Sequence, residues 1–525
     1  MTEEATPSPL ASRVFRALWV ATIVSNVGTW MHDVGAGWLM TSLSAEPLMV
    51  ALVQAATTLP MFLLALPGGA LADIVDRRRL LMGAQLFALL ATALLAVTTF
   101  SGGVTPVLLL SFTCAIACGA ALSAPAFQAI VPELVPRAAL QQAVALNSLG
   151  INIARAIGPA LGGLVIALAG PAAVFALNAV SGLGVLLVLA RWRRQPAGSG
   201  LPAEHFLGAL RAGARYAARA PALQVVLVRS IGFFLFASAL WALLPIIGRR
   251  ELGLGPAAYG GLLTLMGLGA VAGAVLLPRL RGHVSANGIT AGGSLLFAAA
   301  MFGLGHAGGF VAAGAALAVA GLAWIAMMSS LNGAAQMSAP AWVKARALAI
   351  YLVTFQGAMT AGSMLWGALA GKIGIPATLM VAAIGMAAVL PLLGFRFRLG
   401  AEAALDLSPS LHWPAPIVAG DAPADRGPVM VTIEYRIDPA RTAEFLAAMQ
   451  DMRRIRRRDG AIQWHLLQDA ATPDVIVESF MLASWLEHLR QHERVTHADR
   501  ENQAVVNAFH LGPEPPLVRH LIQPA

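Results

Sequence analysis

Gly68-Gly69-Ala70-Leu71-Ala72-Asp73-Ile74-Val75-Asp76-Arg77-Arg78-Arg79-Leu80-Leu81 is a charged hinge set between two long apolar runs. The run before it, Pro47 to Leu71, and the run after it, Leu80 to Phe100, are each long enough to cross a bilayer, which takes about 20 residues. The hinge therefore reads as a tight loop at a membrane face. Its arginines mark that face as cytoplasmic, because short loops rich in Lys and Arg stay inside. Gly68 and Gly69 predict a close approach of two helix backbones, with Asp73 at the helix end. The stretch reads as a gate rather than a linker.

Composition agrees. Of 525 residues, 58% are hydrophobic and 12% charged, with a mean hydropathy of +0.72. A soluble protein carries about 25% charged residues, so the chain reads as an integral membrane protein. The formal net charge of +9 does not point to nucleic acid, because the arginines fall in short loops between apolar runs. Cys114 and Cys118 lie four apart in one run and read as small packing residues, with no disulfide framework or metal site implied. Residues 1–12 are polar, and no cleaved signal peptide is expected.

Apolar runs recur at Ala17–Leu43, Pro47–Leu71, Leu80–Phe100, Val104–Ile130, Ala139–Ala169 and Ala172–Ala190. After the basic segment 191–222 they resume at Leu223–Ile247, Ala257–Leu280, Val284–His306, Phe310–Leu331, Arg346–Ala370 and Ile375–Phe395. The pattern predicts an all-α polytopic membrane protein with twelve transmembrane helices in two six-helix halves, 17–190 and 223–398. An even count puts both termini on one side, and charge says which. Arg13, Arg16, Arg77 to Arg79, Arg137, Arg191, Arg193, Arg194, Arg279, Arg281, Lys344, Arg346, Arg396 and Arg398 share a side, against Arg249, Arg250 and Lys372. Both termini, beginning with residues 1–16, are expected in the cytoplasm of a bacterial inner-membrane protein. Phe206 to Ala220 predicts a basic amphipathic helix, with Arg211, Arg215 and Arg219 four apart, lying on the inner leaflet.

The hinge resembles the signature loop between the second and third helices of the major facilitator superfamily, Gly-x-Leu-x-Asp-Arg-x-Gly-Arg-Arg. Gly69, Leu71, Asp73, Arg77 and Arg78 match, while Ile74 stands at the first arginine of that pattern and Asp76 at its second glycine. Anchoring by positive charge alone accounts for the arginines but not for the ordered Gly, Leu and Asp. The resemblance implies the major facilitator fold, with nested three-helix repeats in each half, and a gating role for Gly69, Asp73, Arg77 and Arg78. Pro278-Arg279-Leu280-Arg281-Gly282-His283 is a degenerate echo of the hinge in the second half.

The fifth run carries Ala154-Arg155-Ala156-Ile157-Gly158-Pro159-Ala160-Leu161-Gly162-Gly163. Pro159 has no amide hydrogen and frees the Arg155 carbonyl, so a kink is expected. Gly158 and Gly162 form a small-xxx-small seam. The stretch resembles the antiporter signature of the fifth helix in proton-coupled drug exporters, which implies export, with Arg155, Gly158, Pro159, Gly162 and Gly163 as its surviving residues and Ala145 and Ala154 in place of earlier glycines. A packing kink of the kind apolar helices carry is the alternative. The superfamily's fourth-helix arginine is missing, leaving Arg155 to do part of its work. Ser25-Asn26-Val27-Gly28-Thr29-Trp30-Met31, Pro125-Ala126-Phe127-Gln128, and Asn147-Ser148 with Asn152 resemble one branch of the superfamily, that of the enterobactin exporter and similar secretion transporters.

An ionisable group within a spanning segment is costly and marks a functional candidate. His32, Asp33 and Arg155 are the main cases. A carboxyl in a poorly hydrated cavity can load and release a proton near neutral pH, and a cation approaching it in one conformation favours its ionised form. Asp33 with Arg155 is accordingly the proton-coupling candidate, helix-to-helix bonding by Asp33 being the alternative. Arg229 lies near enough to a helix start to snorkel to the surface. Gln54, Asn147, Asn152, Asn178 and Gln356 are candidates to line a substrate cavity, as is Gln85, or to bond helix to helix. Trp30, Trp38, Trp241, Trp324, Phe233 and Phe234 fit an aromatic cavity or interfacial belts.

Past Arg398 a Pro- and Ala-rich linker, 399–427, leads to a soluble segment, 428–525. Val429–Ile437 predicts a strand. Asp438-Pro439 starts a helix with Phe445, Met449 and Met452 on one face, Ala461–Gln468 and Asp474–Met481 form a hairpin, Ser484-Trp485-Leu486-Glu487 is a capping box, and Val518–Ile522 is a last strand. The order strand, helix, strand, strand, helix, strand is that of a small α+β ferredoxin-like domain. The five arginines of Arg453 to Arg458, Ser484-Trp485 and Glu487 to Arg494 resemble the tail of the same secretion-transporter branch, and the domain also resembles small antibiotic-biosynthesis monooxygenases. His488 and His492 stand one turn apart with His497 beyond and His465 on the hairpin, but among Arg490, Glu493 and Arg494 they read as solvated or salt-bridged, so no metal is assigned. No cofactor has a visible handle. The arginines are expected to dock on anionic lipid heads.

The function expected is proton-coupled export of a small organic compound, a siderophore-like metabolite or a drug, by alternating access, with protons and the lipid bilayer as partners. The competing expectation is a membrane-tethered enzyme whose tail does the chemistry.

Overall fold

The computed structural model describes residues 8–192, 206–400, 405–414 and 426–523. Its helices begin where backbone donors are satisfied or missing. The Ser12 hydroxyl accepts from the Phe15 amide ahead of α1 (Arg13–Leu43), and Pro47 opens α2 (Pro47–Ile74). Asp76 Oδ1 accepts from the Arg79 amide at 2.9 Å to start α3 (Arg77–Phe100), and Thr105 caps α4 (Pro106–Leu134). So the aspartate that replaces the signature glycine serves as the cap of the helix beyond the hinge. After α5 (Leu140–Arg191) come α6 (Phe206–Arg219), α7 (Pro221–Ile246), α8 (Pro256–Arg281), α9 (Ala286–Gly305), α10 (Phe310–Met337), α11 (Lys344–Ile373) and α12 (Ile375–Arg396).

Among the described residues, 10 helices are long and apolar enough to cross a membrane. The 52-residue α5 takes in both the fifth and sixth expected runs, because the chain turns at Gly170 (φ 80°) without losing helix on either side. The 31-residue α1 falls outside the ten, its apolar stretch diluted by Ser25, Asn26, Thr29, His32 and Asp33. Each of the twelve expected runs therefore lies in a helical leg. The legs cross at small residues. A Cβ at Gly119 of α4 would sit 2.8 Å from the Ala84 carbonyl of α3, and one at Gly321 of α10 would collide with the Met266 carbonyl of α8.

The chain forms two compact units: Met1–Gly200, Val228–Leu331 and Leu352–Phe397 make one, and Leu201–Leu227, Asn332–Tyr351 and Arg398–Ala525 the other. In the second, β1 (Val429–Arg436), β2 (Gln463–Gln468), β3 (Val475–Leu482) and β4 (Leu517–Ile522) form an antiparallel sheet in the order β2-β3-β1-β4. Strand β1 alternates buried and half-exposed residues, as a one-sided sheet requires. Helix α13 (Thr442–Arg458) lays Phe445, Met449, Met452 and Ile455 on the core beside Val431, Tyr435 and Phe480. Two shorter helices follow, α14 (Trp485–Arg494) and α15 (His497–Asn507), where the sequence pattern predicts one. The signal for α15 was Thr496 with Asp499, a reciprocal capping box. At Ser484 only half of the expected box forms: the hydroxyl accepts from the Glu487 amide, but the Glu487 carboxylate turns to Arg490 (2.7 Å) and Arg494 (3.0 Å).

Helix α6 forms as expected, yet its apolar face is covered by protein. Tyr216 and Ala220 pack with Leu223, Ala339, Val343 and Ala347, and the Tyr216 hydroxyl donates to the Ser338 carbonyl at 2.7 Å.

Candidate functional site

A cavity of about 410 Å³ lies in the helical unit, lined from both halves of the helix set. From the first half come Trp30 and Asp33 of α1, Gln54 of α2 and Arg155 of α5; from the second, Trp241, Tyr259, Trp324, Phe355 and Gln356. Ligand sites span about 300–1,000 Å³ and are mostly apolar with a few placed polar groups, and this cavity fits that description. Asp33 is exposed to it. Arg155 lies with its guanidinium carbon 5.6 Å from the Trp30 ring centroid, its Nε buried without a hydrogen-bond partner. Both charges thus face one space, and no ion pair joins them to each other.

Behind the lining, Trp324 meets Phe233, Phe234, Phe297 and Phe355, with Phe234 and Phe355 4.3 Å apart. Of the six aromatics singled out in the sequence, Trp30, Trp241 and Trp324 reach the cavity. Phe233 and Phe234 are fully buried supports, and Trp38 stacks on Tyr259 at 5.5 Å. Of the amides, Gln54 and Gln356 line the cavity, whereas Asn147, Asn152 and Asn178 do not. Asn152 donates to its own helix at Ser148, and Asn178 is buried where α5 packs on Gly28 of α1. His32 is 2% exposed, packs 5.0 Å from the Phe175 ring and has neither nitrogen hydrogen-bonded.

The fifth-helix motif is a crossing in which backbones touch. A Cβ at Gly158 would meet Trp30 Cβ at 2.5 Å, and one at Gly162 would meet Met31 Cα at 3.0 Å, both on α1. A Cβ at Gly163 would stand 2.5 Å from the Pro256 carbonyl of α8, while one at Gly260 would stand 2.5 Å from the Pro159 carbonyl. The motif therefore holds α1 and α8 together at one level, and the halves meet there without side chains between them. A second link between halves is the 2.7 Å hydrogen bond joining Thr58 of α2 and Thr360 of α11.

At the hinge, Arg77 pairs with Glu133 of α4 at 3.0 Å, and Arg78 donates to the Leu189 and Ala190 carbonyls at 2.7 Å, closing the end of α5. Of the two hinge glycines only Gly68 allows a close approach, 3.3 Å to the Ala121 carbonyl; Gly69 has open space around it. The Asp73 side chain lies outside the described residues. Arg249 and Arg250, two of the three exceptions to the charge asymmetry, close the end of α1: Arg249 donates to Thr41, and Arg250 to the Ser44 and Ala45 carbonyls.

Arg229 departs from expectation. It does not snorkel: it is 1% exposed, donates to Thr290 Oγ1 of α9 at 2.6 Å, and leaves Nε and one terminal nitrogen unbonded beside Gly394 of α12. Space made by that glycine on a distant helix holds it, a signal that position along α7 could not give. The arginine row of α13 also divides. Arg456 is buried on Glu478, and Arg458 bridges Asp459 and Asp499 at 2.7 Å each, so these two build the domain and are not available to lipid. The Glu478 carboxylate also accepts from Trp464 Nε1 at 2.9 Å.

A sequence model of the family described as transmembrane secretion effector matches residues 4–525. The staphyloferrin A transporter of Staphylococcus aureus is 32% identical over 142 residues, 27% of this chain and 36% of that protein. The enterobactin exporter EntS of Shigella boydii is 29% identical over 274 residues, 51% of this chain and 63% of that protein. The chain thus spans less than two thirds of the length of either relative. Among solved structures, a POT family transporter in complex with 5-aminolevulinic acid superposes with TM-score 0.61 at 13% identity, over 74% of this chain and 96% of that one. A bacterial homolog of the human lysosomal transporter Spinster, inward-facing and unoccupied, gives 0.58 at 14% identity over the same shares. At such identities the likeness shows the fold, a major facilitator fold, and none of these likenesses favours the tethered enzyme. With a match that runs from the first helix through the last strand, the chain belongs to the transmembrane secretion effectors, a family of major facilitator transporters.

Proposed function

We propose that the protein is a proton-coupled exporter of a small organic compound, a siderophore-like metabolite or a drug, working by alternating access of residues 17–190 and 223–398 in a bacterial inner membrane. The observation that carries this reading is the cavity lined from both halves, with one carboxylate, Asp33, and one guanidinium, Arg155, facing it unpaired with each other. In one access state Asp33 takes a proton; in the other, Arg155 draws close and favours the carboxylate, so the proton leaves. Trp30, Trp241 and Trp324 offer flat faces to a bulky organic molecule, and Gln54 and Gln356 its polar contacts. The Gly158–Gly163 crossing is the pivot, and Gly69, Asp73, Arg77 and Arg78 gate the inner side. The siderophore class is suggested by the two partial relatives, which are named for staphyloferrin A and enterobactin.

The test begins by comparing medium from a deletion strain with wild type to find the compound that fails to appear. Proteoliposomes are then loaded with it under an imposed proton gradient. Wild type should move the compound with the gradient, and Asp33→Asn should lose gradient-driven movement while keeping binding and energy-independent exchange. Gradient-driven transport at the wild-type rate in Asp33→Asn would place the coupling site elsewhere.

A further inference from the structure

The sheet domain carries a cluster that the export reading leaves unused. His488 and His492 stand one turn apart on α14, and His520 comes from β4, the strand next to β1. One ring nitrogen from each lies within 4.8 Å of the others. The ring of His488 is 4.8 Å from that of His492 and 4.7 Å from that of His520, centroid to centroid. His488 is 2% exposed, and neither of its nitrogens has a hydrogen-bond partner. Gln491 beside it is fully buried, close to the His488 ring but out of hydrogen-bonding geometry, with neither amide atom engaged. Buried polar groups are nearly always satisfied, and leaving one unmade costs about 1–3 kcal/mol. Two neighbouring buried side chains left without a formed hydrogen bond thus stand beside converging imidazoles.

We propose that His488, His492 and His520 bind a divalent transition-metal ion of the zinc class. Three imidazoles with no carboxylate or thiolate suit zinc, copper, nickel or iron and not calcium or magnesium. In a tetrahedral zinc site, bonds of about 2.0–2.1 Å place the nitrogens about 3.3 Å apart, so the cluster tightens by about 1.5 Å on loading. Rotation of the half-buried His492 and His520 rings about the fixed His488 provides that movement. Gln491 then accepts from the second His488 nitrogen, the outer-shell bond that orients a ligating imidazole. Trp485 and Trp413 wall the site, with ring centroids 5.1 Å from His488 and 5.0 Å from His492. The neighbouring cation, Arg456, is spent on Glu478. His412, also nearby, has its nitrogens engaged by Ser410 and Gln503, so three ligands and one exchangeable position remain. In sequence His488 and His492 read as solvated or salt-bridged with His497 beyond, and no metal is assigned; His520, 28 residues after His492, is the ligand that only the sheet brings in.

The test uses the full-length protein in detergent, freed of any affinity tag, stripped with a chelator and dialysed against zinc or, separately, cobalt(II). Wild type should retain one zinc per chain and give the visible d–d bands of a tetrahedral cobalt centre. His520→Gln and His492→Asn should each weaken binding at least about 100-fold with unchanged far-UV circular dichroism, and the exposed His465→Ala should bind as wild type. The proposal is overturned by wild type that retains no zinc, by cobalt spectra of octahedral form only, or by folded His520→Gln with undiminished stoichiometry. Transport enters none of these readouts, so a failure of the export reading is seen separately.

Discussion

Asp33 and His32 are adjacent in sequence, yet the helical step of about 100° per residue sends one into the cavity and the other against Phe175. That divergence leaves Asp33 as the one of the two ionisable groups that reaches the cavity. Asp499 shows the same dependence on setting. Its carboxylate accepts from Arg458 at 3.1 and 2.7 Å and from Thr496 at 3.0 and 2.7 Å. Burial pushes this carboxyl up, but Arg458 and the Thr496 bonds outweigh burial and hold it below the ordinary range. A carboxyl depressed in the folded chain adds stability that is complete above about pH 4, where the unfolded group is ionised, and is lost as pH falls through the folded value. Asp459, on the other side of Arg458, is pushed up by burial and contributes with the opposite sign. Asp499→Asn is therefore expected to loosen α15 at pH 7 and to flatten its loss of protection toward acid. Hydrogen exchange of residues 497–507 in the full-length protein at pH 7 and at about pH 2.5, below the unfolded value, reads both; a variant with the wild-type pH dependence would assign the acid sensitivity to another group.

Among the elements, α5 and α8 make a tight demand where the two halves meet. Adding one methyl at Gly163 or Gly260 puts it 2.5 Å from a backbone carbonyl, where no side chain can yield. Gly163→Ala and Gly260→Ala should each cost about 1–3 kcal/mol and cut transport at least tenfold at equal membrane abundance. Gly69→Ala, in open space, should leave packing intact; thermal unfolding in detergent with proteoliposome transport separates the three. If Gly69→Ala transports poorly while remaining stable, the signature glycine acts by a route other than packing. The helices were legible because spanning segments must be apolar for about 20 residues and satisfy their own hydrogen bonds. The Gly-Pro-x-x-Gly-Gly seam was legible because only small residues permit such an approach. What stayed hidden were pairings set by distant chain: Gly394 making room for Arg229, Glu478 taking Arg456 out of the arginine row, and β4 delivering His520 to α14. For Asn178 and Asn152 the spacing along α5 leaves both roles open, because an amide that lines a cavity and one that packs between helices look alike in sequence.

For the whole molecule, the arginine asymmetry expects both termini and the sheet domain in the cytoplasm. A reporter active only in the cytoplasm, fused after Ala525, should be active, and one active only in the periplasm silent; the reverse would overturn the topology. Within the second unit, Arg494 lies 4.7 Å from the Trp342 ring and Arg458 5.9 Å from the Tyr216 ring, so the sheet domain is fastened to residues of α6 and of the stretch before α11. The α5–α8 crossing has a different kind of consequence. It is made of backbone alone, so no neighbouring mutation can compensate for a change there, while cavity residues such as Gln54 and Gln356 face open space and can drift singly. Variants arising under selection for a new compound are expected to accumulate around the cavity and leave Gly163 and Gly260 untouched, which makes the cavity wall the evolvable part of this protein and the α5–α8 crossing the inherited one.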